Sequence, residues 1–382
     1  MGLEFLQPLE ADLYNFITAL PLQALGHKAI FHTEDNFPDL DEASIAIVGV
    51  FENRGLGEDK AHVHLNYIRK EFYGLYPGNW HTNIVDLGNI KEGETLQDTH
   101  YAVKSIASEL IKRRIVLIVI GGSQDLTYAI YRGYDNLEQM VNVVAVDSRF
   151  DFGKEDEAIS AYSYLTPMIM NEPHNMFNYC NLGYQTYFNS QEEIDLIEKL
   201  YFDAYRLGEV SNDTTLAEPV FRDADLVSID MGAVKSGESG NIVKFSPNGF
   251  DGKEICILAR YAGISDKVTS FGLFNHNDTR QEAGLVSQML WYFIEGVNYR
   301  SNEYPFGSRD QYIKYIVSGE DEELVFYKSD KTERWWIELV ADGSNTKVKK
   351  ATLLPCSHND YLSACNNEIP ERLWKAQRKN II

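Results

Sequence analysis

The residues best placed to do chemistry end one apolar run, Val143-Val144-Ala145-Val146-Asp147-Ser148-Arg149-Phe150-Asp151. A continuous Val/Ala run reads as a strand covered on both faces. Strand side chains alternate with period two, so an extended backbone kept up to residue 151 puts Asp147, Arg149 and Asp151 on one face. Two carboxylates and a guanidinium then meet at the carboxyl end of a central strand, where open α/β sheets carry their sites. Two further apolar runs end in polar clusters, Gly121-Gly122-Ser123-Gln124-Asp125 and Asp230-Met231-Gly232-Ala233-Val234-Lys235. Aspartates gathered in a low dielectric must be paired, protonated or metal-bound. Arg149 is the natural counter-charge, expected to bridge Asp147 and Asp230 in a salt-bridge network, with Lys235 as a second cation. The glycine pair at 121–122 lacks the lysine and spacing of a phosphate loop. No nucleophile stands beside a base.

Such strand ends need a sheet to hold them. Runs at 44–50, 83–88, 115–120, 143–147, 178–184, 225–230 and 268–274 read as strands. Between them lie stretches compatible with helices at 60–73, 95–112, 155–170, 190–200, 214–221, 251–262 and 282–295, with Thr95 placed to cap the second. Alternation of strand and helix predicts a parallel sheet covered on both faces. Residues 1–43 read as a lead-in and 44–298 as the main α/β domain. After about residue 299 the character changes: strands at 323–327 and 334–340 pair across a turn at 329–332, and a helix starts near Pro370. This 299–382 extension is expected to be small, α+β and packed on the main domain. Trp335, Trp336 and Trp374 supply its apolar surface, for packing or, alternatively, for a protein partner.

Composition bounds the rest. The chain has 382 residues, 44% apolar and 12% aromatic, ample for a core. A formal charge of −22 leaves no basic face for nucleic acid. The four cysteines, Cys180, Cys256, Cys356 and Cys365, form no C-x-x-C pair and read as ordinary thiols. No apolar run approaches the ~20 residues that span a bilayer, and no signal peptide is visible, so a cytoplasmic location is expected.

The order and spacing of the three clusters resemble the ureohydrolase family: arginase, agmatinase and formimidoylglutamase. Those enzymes carry GGDHS or GGGHE, then DAHxD, then SxDxDxxDP, each ending a strand of a parallel eight-stranded sheet in a three-layer αβα fold. The resemblance spans residues 44–298 and implies that fold. It also implies a homo-oligomer and a two-metal site that hydrolyses linear amidines. Carried over, the family's first histidine ligand falls on Gln124; its Asp, His and Asp fall on Asp147, Arg149 and Asp151; its last two aspartates fall on Asp230 and Gly232. Its closing Asp-Pro is Lys235-Ser236 here. Gly249-Phe250-Asp251-Gly252-Lys253-Glu254 resembles the segment bearing a substrate-contacting glutamate, which would be Glu254; an ordinary acid at a helix N-terminus is the other reading. Asn275-His276-Asn277-Asp278 resembles the family's ExNP strand end.

Two metals need imidazole and carboxylate ligands with open positions. Asp147, Asp151 and Asp230, with the Gln124 carbonyl, form an oxygen-only set suited at most to one Mg²⁺ or Mn²⁺ ion. Arg149 cannot ligate, because a guanidinium stays protonated. The sequence therefore leads first to a ureohydrolase-fold pseudoenzyme without cofactor, serving as a scaffold or binding subunit whose extension offers a partner surface. The alternative is a residual metal-dependent amidine hydrolase.

Overall fold

The computed structural model describes residues 2–57, 65–137, 139–154, 157–241, 246–277, 279–303, 309–319, 323–340 and 351–379. Asp278 and the His62/His64 pair fall outside them. Eight parallel strands form the body of one sheet: β1 Ile45–Val50, β2 Ile84–Ile90, β3 Val116–Ile120, β4 Val141–Val146, β5 Met176–Tyr184, β6 Asp203–Arg206, β7 Leu226–Asp230 and β8 Ser270–Phe274. They run in the order β2-β1-β3-β8-β7-β4-β5-β6. Two short strands pair with β2 and bring the sheet to ten: Leu6–Gln7 antiparallel, Ala29–Phe31 parallel.

Alternation within each strand makes the three layers. Ile45, Ile47, Ile118, Ile120, Val144 and Val146 point into one apolar cluster, with helices Leu65–Gly74, Gly252–Ile264 and Arg280–Asn298. Ala46, Val48, Leu117, Val119, Val143 and Ala145 point into the other, with helices Leu96–Lys112, Leu126–Arg132 and Gln191–Lys199. Period two sends successive residues to opposite faces, so an unbroken apolar run fills two cores at once. Helix starts follow their caps. The Thr95 side chain accepts from Asp98 N–H and Ser190 from Glu193 N–H, each closing a capping box.

The first apolar cluster contains a close helix crossing. A Cβ at Gly263 would lie 2.1 Å from the Phe293 carbonyl oxygen, and one at Gly296 would lie 2.6 Å from that of Arg260. Only glycine lets helices Gly252–Ile264 and Arg280–Asn298 approach so nearly, and the rest of both helices then packs tightly.

The C-terminal sheet is antiparallel: β9 Tyr312–Ser318, β10 Glu323–Ser329, β11 Trp335–Val340 and β12 Ala351–Cys356, in that order. The sequence reading contained only β10 and β11. It also missed helix His358–Cys365, although Ser357 and Asp360 form its capping box. Trp335 and Trp336 are 7% and 1% exposed, so both serve the core of this unit; Trp374, at 41%, remains at the surface. Buried Arg222 ties the two sheets together. Its guanidinium donates to the Trp335 and Cys356 carbonyls at 3.0 and 2.9 Å and lies over the Trp336 ring. At the far edge of the main sheet, Lys375 of helix Glu371–Lys379 reaches Asp203 of β6 at 3.6 Å, and Lys379 donates to Asn178 of β5. The helix-like reading of 155–170 shrinks to Leu165–Met170, with residues 155 and 156 outside the described set.

Candidate functional site

The loops after β3, β8, β7 and β4 leave adjacent strands at one end of the sheet. At the first, Gly121 and Gly122 take φ of 90° and 78°, which glycine adopts without strain. That turn delivers Gln124 fully buried. Its backbone N–H donates to Asn275 Oδ1 at 3.0 Å and its Nε2 to Tyr164 Oη at 3.2 Å, leaving Oε1 without a donor.

After β4 the chain does not stay extended. Asp147 Oδ1 accepts the Arg149 N–H at 2.9 Å, an Asx turn that ends the strand at Val146. Asp151 then adopts φ of 55°. Asp147, Arg149 and Asp151 therefore do not share a face: the two aspartates are 1% and 4% exposed, whereas Arg149 is exposed. Nor does Arg149 bridge Asp147 and Asp230. Its Nη1 donates to the Phe188 carbonyl at 3.1 Å and its guanidinium lies 4.7 Å from the centre of the Phe188 ring. The turn that caps Asp147 sends the Arg149 guanidinium onto the aromatic face, from where its charge still lowers the Asp151 pKa. Lys235 forms no ion pair with the cluster; its backbone N–H donates to the Phe250 carbonyl.

The aspartates are brought together nonetheless. Burial, then the neighbouring Asp230 charge, pushes the Asp147 carboxyl up to about 7. Burial, then Asp147 and Asp230, drives Asp151 well above the usual range. Each carboxylate disfavours ionisation of the other, so both are held toward the protonated form. Among the described residues, both Oδ2 atoms are buried with no hydrogen-bond donor on them. Asp230 Oδ1 accepts the Gly232 N–H at 2.7 Å. A Cβ at Gly232 would lie 3.1 Å from Asp230 Oδ2, so any side chain at 232 starts against that carboxylate. Glu254 lies apart from this cluster's bonds, closing the capping box of helix Gly252–Ile264 with Asp251 at 2.8 Å. Among the described residues, no three His, Cys, Asp or Glu side chains are grouped so as to hold a metal ion.

In front of the cluster opens a cleft of about 380 Å³, lined by Ser148, Arg149, Tyr162, Phe188, Asp230 and Asn275 among others. A second compartment of about 310 Å³ lies across Arg149 and is lined by Asp151, Asn189 and Glu193. Tyr162 and Phe188 were missed from sequence because neither stands next to a motif. Asn189 had a local signal, an Asn directly before the helix-capping Ser190; its side chain accepts from Phe150 N–H and donates to the Ser148 and Gln185 carbonyls.

A parallel three-layer sheet with aspartates at its strand ends defines an α/β protein whose site lies at the carboxyl edge of the sheet. Residues 43–271 match the family model described as the arginase family. The chain belongs to the arginase family. It is similar to formimidoylglutamase of Staphylococcus epidermidis, 27% identical over 270 residues that make up 65% of this chain and 85% of that protein. Its fold is similar to that of Trypanosoma cruzi formiminoglutamase, solved with Mn²⁺, with a TM-score of 0.63 and 18% identity over 69% of this chain and 97% of that one. Formimidoylglutamase of Bacillus subtilis superposes with a TM-score of 0.60 at 15% identity, over 71% of this chain and 90% of that one. Among the described residues, no helix is long and apolar enough to cross a membrane.

Proposed function

We propose that this chain has lost the family's two-metal hydrolysis and serves as a scaffold or binding subunit, with the strand-end cleft as its ligand site. One observation carries the reading: at the position aligned with an imidazole ligand stands Arg149, whose guanidinium turns onto Phe188. The donor set around it supports the same conclusion. Gln124 offers an amide, Gly232 offers nothing, and burial and mutual repulsion hold Asp147 and Asp151 toward the protonated form. These residues do not fit a pair of divalent ions, which need imidazole and carboxylate ligands. A cytoplasmic homo-oligomer, with a protein partner on the C-terminal extension, belongs to the same proposal.

The relatives favour a second reading, hydrolysis of a C–N bond in a linear amidine. Taken alone, they favour it over the scaffold, because the matched proteins are formimidoylglutamases. That reading would keep Asp147, Asp151 and Asp230 for a single oxygen-ligated Mn²⁺ or Mg²⁺ ion. Ammonia, urea and formamide release is to be assayed with Mn²⁺ present, on formiminoglutamate, agmatine and arginine. The scaffold reading expects no release above that of a heat-denatured control. Turnover of any one substrate that chelator abolishes would establish the second reading instead.

A further inference from the structure

We infer that the cleft is an oxyanion site in which Arg149 docks the carboxylate or phosphate of a small molecule. The inference rests on the binding-subunit reading and deepens it by naming the ligand's chemistry.

Arg149 is held at every part of the residue. Its N–H donates to Asp147 Oδ1 at 2.9 Å, its carbonyl accepts from Asn181 Nδ2 at 2.7 Å, and its Nη1 donates to the Phe188 carbonyl at 3.1 Å. Asn189 locks the Phe188 turn to the Arg149 loop through the Ser148 and Gln185 carbonyls. The Phe188 carbonyl and ring thus orient the guanidinium before any ligand arrives, which lowers the ordering cost that usually weakens a flexible arginine.

The fixed group has unused capacity. A guanidinium carries five N–H donors in a planar fork. Among the described residues, Arg149 gives one to a carbonyl and enters no ion pair, in a chain with a formal charge of −22. Its charge acts on Asp151 through space without a direct ion pair. Arg149 instead lines both compartments and is their one cationic side chain among the described residues. An open fork stacked on an aromatic ring suits two parallel hydrogen bonds to an oxyanion. Ser148, Asn275 and Tyr162 supply neutral and aromatic wall for the remainder of the ligand. The cleft volume suits a molecule at the small end of the usual ligand range.

The test is a thermal-shift titration of the full chain in chelator at matched ionic strength, confirmed by calorimetry. The probes are L-lactate and inorganic phosphate, with agmatine as the cationic control. Lactate or phosphate should raise the unfolding midpoint saturably, and agmatine should not. The probe that responds identifies the ligand as a carboxylate or a phosphate. Arg149→Gln should weaken the response at least about tenfold, and Arg149→Lys should restore part of it. The unliganded midpoint of each variant reports its folding. No saturable shift with either anion, or an undiminished one in Arg149→Gln, overturns the inference. Because the assay contains chelator and reads binding alone, its failure is distinct from metal-dependent turnover, which would fail the parent reading.

Discussion

Asp147 and Asp151 place two buried carboxyls side by side, and neither enters an ion pair among the described residues. Like-charge contact and desolvation both oppose ionisation there. Replacing one carboxyl by an amide should therefore stabilise the fold, on the order of 1–2 kcal/mol at neutral pH. Asp151→Asn should raise the thermal midpoint by a few degrees at pH 8; a lowered midpoint would mean that the carboxylate is wanted in its charged form. His276 gives the pH dependence its sign. It is buried, its Nε2–H donates to the Leu273 carbonyl at 2.7 Å, and burial pulls its pKa down to about 4. The unfolded chain takes up this proton near pH 6.5 while the folded chain resists it to about 4. The stability is complete above pH 6.5 and falls as pH drops through that window, by about 3 kcal/mol. His276→Gln should flatten this part of a denaturant-midpoint profile between pH 7 and 4, and an unchanged slope would assign it elsewhere. At this scale the sequence reading misplaced two cations, Arg149 and Lys235. Gln124, Asp147, Asp151 and Asp230 do converge. Arg149 does not, because period-two reasoning assumed an extended backbone where Asp147 makes an Asx turn. An aspartate directly after a strand is itself a turn former, so that signal was present.

The strand-end turns depend on how firmly the layers are packed behind them. Helices Gly252–Ile264 and Arg280–Asn298 cross at glycines, so Gly263→Ala puts a methyl carbon into the Phe293 carbonyl. The helices must separate, and overpacking of this kind typically costs 1–3 kcal/mol. A lowered denaturant midpoint is expected with the anion response of the cleft retained; a neutral effect would show that the crossing has slack. Seven of the eight parallel strands were legible because buried strands read as unbroken apolar runs. β6 was missed, since Asp203 and Arg206 break the run and the strand is an edge. β9 was not legible: its residues are mostly exposed, with apolar and charged side chains mixed on an outer strand. Helix His358–Cys365 could have been found from its capping box, whose Ser-x-x-Asp spacing stands in the sequence.

Across the whole molecule, the family match ends at residue 271 and the antiparallel sheet begins at Tyr312, so that sheet lies beyond what the relatives explain. Buried Arg222 makes the extension part of the packed structure, and its tryptophans mostly serve its own core. The arginase-family fold is retained, with the aspartate cluster at the carboxyl ends of its central strands. The most direct test is metal stoichiometry: incubate the full chain with excess Mn²⁺, desalt it, and count ions per chain by elemental mass spectrometry. The account predicts a ratio near zero, unchanged when Asp147 and Asp151 are both replaced by Asn. One or two tightly held ions per chain, lost in that double variant, would contradict it and return the protein to the hydrolases it resembles.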